Sequence, residues 1–247
     1  MTSHVGIARS LSEAEVLRAA ELAAVWPSWA RPLAVLRAVD PEAPWAALVA
    51  LPLGLRERRI LEVHASTFGP SLEGLARCPA CGERASLSLD AGELLAEPSP
   101  VEGEFTMDAE GRSFRCRLVC TADLAAAARE PTLAAARACI AARCVLAADG
   151  DAPDGPLPAP LVDALSAELQ ARDRLAETRV RTECPACGHA WAVTFDAAAI
   201  TAAAVAARAT RIMDDVHVLA RAYGWTERDA LALGPWRRRR YLERIGR

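Results

Sequence analysis

The pattern of apolar and polar positions changes period several times along the chain, and each change predicts an element. Residues 1–77 read as helical. Ser12-Glu13-Ala14-Glu15 has the form of a capping box, and Val16, Ala19, Ala20 and Ala23 fall on one helical stripe behind it. Pro27 and Pro32 interrupt that stretch. A second helix begins near Gly54, carries Leu55, Ile60, Leu61 and Val63, and ends at Gly69-Pro70. The period then falls to two. Ala85–Leu89 alternates as a strand, and 101–119 alternates as a hairpin. Its arms carry Phe105 and Met107, then Phe114, Cys116 and Leu118, with Asp108-Ala109-Glu110-Gly111 at the turn. Residues 121–147 return to a helical pattern, with Asp123 near the start and Pro131 resetting the register. Gly, Asp and Pro crowd residues 148–160 into a loop, and a helix follows from Leu161 to Ala176. Thr178, Val180 and Thr182 alternate, as do Trp191, Val193 and Phe195. The remainder is helical: Ala197–Ala222, a break at Gly224, and a last helix over Pro235–Ile245.

Between these segments stand two copies of Cys-Pro-Ala-Cys-Gly, at 78–82 and 184–188. Each offers two thiolates from one turn, and Cys78, Cys81, Cys184 and Cys187 together supply the four sulfur ligands of a closed structural zinc site. The spacing predicts one Zn2+ per chain, joining the first third of the chain to the last. The expected fold is therefore α+β and mainly helical: a split four-Cys zinc ribbon with small β-hairpins, a helical insertion, and helical N- and C-terminal segments. Its regions run 1–77, 78–120 (first knuckle and hairpins), 121–183 (insertion with the 148–160 loop), 184–196 (second knuckle) and 197–247. A redox pair at each C-x-x-C is the rival reading, but it calls for a motif at a helix start. His189 is a spare candidate ligand read as a loop residue. Cys116, Cys120, Cys139 and Cys144 lack ligand spacing and read as buried free thiols.

Composition narrows the function. The chain has 247 residues, 52% hydrophobic and 25% charged, enough for one large core or two modest ones. All 29 basic residues are Arg, so every Lys/Arg-type cation is a planar fork suited to carboxylate or phosphate. A net charge of −3 argues against wholesale polyanion binding and makes nucleic acid the less favoured partner. No signal-peptide pattern and no apolar run of membrane-spanning length occur, which predicts a cytoplasmic protein, with eight Cys kept reduced. Four Cys leave a zinc no open position, no H-E-x-x-H, G-x-S-x-G or Walker loop is present, and His4, His64, His189 and His217 form no pair. These readings favour a protein that is not an enzyme. Near the C-terminus, Tyr223, Trp225, Trp236, Arg237, Arg238 and Tyr241 combine aromatics with a four-Arg run, the composition of protein-interface anchors.

A resemblance runs through residues 50–247. Leu51-Pro52-Leu53-Gly54-x-Arg56, Thr67-Phe68-Gly69, Cys78-Pro79-x-Cys81-Gly82, Ala122-Asp123-Leu124 and Cys184-Pro185-x-Cys187-Gly188-His189-x-Trp191 carry its first part. Phe195-Asp196, Val216-His217-x-Leu219-Ala220-x-Ala222-Tyr223-Gly224-Trp225 and Arg237-Arg238-x-x-Tyr241-Leu242 carry the rest. The chain resembles the baseplate, or baseplate hub assembly, proteins of contractile-tailed phages and phage-like contractile injection systems. Asp215 stands where that group often has Glu, and Val119-Cys120 where it has Pro-Thr. The resemblance implies a non-enzymatic structural or assembly protein of a contractile tail, with other baseplate or tail proteins as partners and incorporation into the particle an open alternative. A zinc-ribbon nucleic-acid-binding regulator is the second function expected from the same knuckles and Arg run.

Overall fold

The computed structural model describes residues 9–96, 103–151 and 155–246. His4, the first positions of the 101–119 hairpin segment and positions 152–154 of the loop lie outside the described residues. About 55% of the described residues are helical, and they form three small antiparallel sheets.

Four helices open the fold: α1 (Glu13–Val25), α2 (Leu33–Val39), α3 (Trp45–Ala50) and α4 (Leu53–Phe68). The Ser12–Glu15 capping box is present, and it satisfies amides that the first turn of α1 leaves without partners. Val16 and Ala19 of α1, Val35 and Ala38 of α2 and Val63 of α4 pack on Val205, Ala209 and Ile212 of α9 (Ala197–Tyr223). That last helix is about 40 Å long at 1.5 Å per residue, and it forms the spine on which the N-terminal helices lie. Asp196 caps its first turn through the Ala199 amide, at 2.8 Å.

Two hairpins stand on this helical base. In the first, β1 (Ser71–Arg77) pairs with β2 (Arg84–Asp90); in the second, β6 (Thr178–Glu183) pairs with β7 (Ala190–Phe195). Strand β1 falls in a region expected to be helical up to residue 77, which corrects that boundary. Its alternation is masked because Gly74 occupies an inward position and Leu75, 71% exposed, an outward one. Leu72, Leu87, Leu175 and Phe195 join the stems of the two hairpins to Leu61 of α4.

The segment between the hairpins has its own core. After the short α5 (Ala91–Leu95), strands β3 (Glu104–Ala109), β4 (Arg112–Arg117) and β5 (Val145–Ala148) form a sheet. It packs against α7 (Leu133–Cys144) and α8 (Ala159–Arg172) through Met107, Phe114, Cys116, Cys144, Leu161 and Leu165. The insertion is thus not wholly helical, because Val145–Ala148 leaves the helical pattern to pair with β4. A fully buried apolar run of that length has no period to distinguish strand from helix. The β3–β4 turn tightens to Glu110-Gly111, both left-handed.

Asp123 organises the start of α6 (Thr121–Ala127). Fully buried, its carboxylate accepts bonds from Arg117 at 2.7 and 2.8 Å, Arg143 at 2.7 Å and the Cys120 amide at 2.9 Å. Burial works against the charge, but these partners outweigh it and hold the carboxyl well below the usual range. The insertion rejoins the base where Asp173, at the end of α8, accepts a 2.9 Å bond from the Gly54 amide. Asp173 is itself buried, and its Oδ1 has no hydrogen-bond partner.

Candidate metal centre

Each Cys-Pro-Ala-Cys-Gly copy is the loop of one hairpin. Arg77 pairs with Arg84 and Glu183 with Ala190, so the loops are 78–83 and 184–189, equal in length. Their internal bonds match. The Cys78 amide donates to the Glu83 carbonyl at 2.8 Å, and the Cys184 amide to that of His189 at 2.9 Å. The Gly82 and Gly188 amides donate to the Cys78 and Cys184 carbonyls, both at 2.9 Å. Gly82 at φ 76° and Gly188 at φ 70° occupy the left-handed region, where a side chain would be strained. The turn lifts amides toward the thiols: Glu83 toward Cys81, His189 toward Cys187, and Ala186 and Cys187 toward Cys184.

The two tips meet. The four Sγ atoms lie within 4.8 Å of one another, with Cys78–Cys187 at 3.7 Å and Cys81–Cys184 at 3.5 Å. These separations are far beyond a disulfide of about 2.05 Å. Four sulfurs about 2.3 Å from one ion at tetrahedral angles stand about 3.8 Å apart, so the cluster fits a mononuclear ion. Cys78 and Cys184, first in each motif, are buried; Cys81 and Cys187 are exposed. Burial opposes charge at Cys184, but the amides of Cys187 and Ala186 bring its thiol down to about 7. At Cys81 the Glu83 amide favours the thiolate, yet the neighbouring thiols of Cys187 and Cys184 push it up to about 12. A charge is thus favoured at Cys184 and resisted at Cys81 and Cys187, a balance that a bound cation would shift. His189 stacks on Trp191 at 6.2 Å and contributes its backbone to the second loop.

The other cysteines do different work. Burial pushes the thiol of Cys116 up to about 11 and that of Cys144 up to about 12, so both stay protonated. Cys120 caps α6, its thiol 3.2 Å from Asp123 Oδ2. Cys139 is only half-buried, a departure from the expectation that all four are interior.

The C-terminal residues divide into two groups. Arg238, one of the residues with the composition of an interface anchor, is buried, at 3% exposure. It pairs with Glu13 of α1, and its Nη2 donates to the Ala230 carbonyl at 3.0 Å. It therefore fastens α10 (Glu227–Ala232) and α11 (Pro235–Ile245) to the base. The short α10, opened by a Thr226–Asp229 capping box, is an element the apolar pattern did not reveal. Tyr223, Trp225 and Tyr241 pack on one another, with ring centroids 4.7, 4.9 and 5.5 Å apart. Trp236 remains 71% exposed, and Arg237 is exposed beside it.

Sequence reasoning missed two polar contacts that hold the site's base: Asp173 against Gly54, and buried His64. A carbonyl only accepts, so His64 Nε2 carries the proton it shares with Ser71 O at 3.2 Å. Nδ1 faces the Thr201 hydroxyl of α9 at 3.1 Å, tying three elements together. No family model, curated protein or solved structure matches the chain. Among the described residues, no helix is long and apolar enough to cross a membrane.

Proposed function

We propose that the protein is a non-enzymatic structural or assembly component of a contractile tail or injection-system baseplate, its two halves clasped by one structural Zn2+. The observation that carries this reading is the pairing of two equivalent hairpin tips, 103 to 109 positions apart in sequence, into one four-sulfur cluster. Four thiolates suit zinc and fill its shell, which favours a holding role over a catalytic one. The equal loop lengths and matching internal bonds of the two hairpin tips support reading them as zinc-ribbon knuckles. The residues behind the baseplate resemblance include internal fasteners: Gly54 meets Asp173, Asp123 gathers two arginines, Asp196 caps α9 and Arg238 ties α11 to α1. A scaffold role accounts for that placement.

Two measurements test the reading. Elemental analysis of purified protein is expected to give about one zinc per chain; a stoichiometric iron content, or a folded chain without metal, overturns the zinc assignment. The tagged chain, expressed from its own locus, is expected to co-purify with identified sheath, tube or baseplate proteins. Recovery without any tail component, from a locus lacking sheath, tube and spike genes, overturns the baseplate reading.

A further inference from the structure

The outer face of α11 differs from the rest of the C-terminal segment. Trp236, Arg237, Arg240, Tyr241 and Arg244 line a shallow cleft of about 280 Å3. Positions 237, 240 or 241, and 244 recur at helical spacing, so they form one stripe, while Arg238 turns the other way into the core. The Arg240 guanidinium lies 5.5 Å from the centroid of the exposed Trp236 ring. Arg239 and Arg240 share Glu243, whereas Arg237 and Arg244 carry no ion pair among the described residues. An exposed indole on a stripe that also carries Arg237 and Arg244, without ion pairs among the described residues, is the make-up of an interface anchor rather than of a solvated face.

We infer that this stripe is the docking site for an acidic segment of a partner protein, its carboxylates on Arg237 and Arg244 and an apolar side chain against the open face of Trp236. Charge complementarity selects carboxylate or phosphate, and the aromatics decide between them. A nucleic-acid strand needs open ring faces on which successive bases stack. Here Tyr223, Trp225 and Tyr241 are engaged with one another, and Trp236, with Arg240 over one face, is a single exposed ring, which cannot stack successive bases. The cationic surface is also one helix long on a chain of net charge −3, too short to track a phosphate backbone. A short acidic peptide, held by bidentate Arg–carboxylate pairs, fits this length.

The inference rests on the assembly reading in placing a protein partner at this end, but the two fail separately, because the test uses the isolated chain. Fluorescence anisotropy would compare three probes: a labelled glutamate-rich peptide with one central leucine, its glutamine analogue, and an oligothymidylate of equal net charge. The glutamate peptide is expected to bind most tightly. Arg237→Glu with Arg244→Glu is expected to weaken it at least tenfold, and Trp236→Ala several-fold, with thermal midpoints unchanged because all three side chains are exposed. Equal binding of the glutamine analogue, no response to the double charge reversal, no binding of the glutamate peptide, or tighter binding of the oligothymidylate would each overturn the proposal. Retained co-purification with tail proteins alongside any of those results would leave the assembly reading standing.

Discussion

Gly54→Ala is the most diagnostic single change in the base of the fold. A Cβ at that position would lie 1.6 Å from Asp173 Oδ1 and 2.7 Å from its Cγ, closer than any real contact. The carboxylate cannot swing freely, because Asp173 is only 4% exposed and its other oxygen holds the Gly54 amide at 2.9 Å. Overpacking of this kind costs about 1–3 kcal/mol. Losing an amide bond to a charged acceptor adds about 1.5–3 kcal/mol. Replacing a helical Gly recovers at most ~1 kcal/mol, less in the first turn of α4. The net is a loss of about 1.5–6 kcal/mol, or a fall in thermal midpoint on the order of 3–24 °C for a chain of this size. The decisive assay is a double-mutant cycle by urea denaturation. Asp173→Ala removes the obstructing carboxylate together with an oxygen that has no partner, so Gly54→Ala with Asp173→Ala should be more stable than Gly54→Ala alone. Additive losses, or a Gly54→Ala protein as stable as the parent, would show that the two residues do not meet as described.

Other consequences are equally direct. Cys184→Ser should abolish stoichiometric metal binding and destabilise the chain severely, whereas Cys139→Ser should leave metal content unchanged; elemental analysis with thermal melts would show both. Burial lowers the pKa of His64 below its ordinary 6.5, so the fold favours the neutral ring: its contribution is present above pH 6.5 and lost as pH falls below it. Urea midpoints of wild type and His64→Gln, taken at pH 8 and pH 5.5, should show a smaller acid loss in the variant. Arg238→Ala should cost about 1.5–3 kcal/mol by removing charged bonds to Glu13, which keeps Arg208, and to the Ala230 carbonyl, and hydrogen exchange should rise in α10 and α11 first.

How much of this was legible depended on whether a residue's partner lies nearby in sequence. The Ser12 capping box, the long α9 and the last helix are encoded in periods and caps and stand where their patterns predict, while the turn expected over Asp108–Gly111 narrows to its last two residues. The four cysteines of the two repeated motifs announced themselves by repetition, and they lie together in one cluster. Strand β1 did not, because its inward positions include a glycine and its outward face a leucine. The inward turn of Arg238 was invisible too, since Glu13 lies at the other end of the chain and a four-Arg run gives no sign of which member points in. The Gly54–Asp173 contact, 119 positions apart, has no local signature either.

The spacing of the two hairpins also sets a schedule for synthesis. Cys78 and Cys187 are 109 positions apart, and the helices of the N-terminal base need α9, which is made later still. At about 5–20 residues per second, the first pair of thiols leaves the ribosome roughly 5–20 s before the second exists. During that interval the insertion, with its separate core, is the one region whose apolar contacts are all available to it. The four-sulfur cluster is therefore complete only near the end of translation, and under the proposed zinc assignment the metal would join a chain that is almost finished.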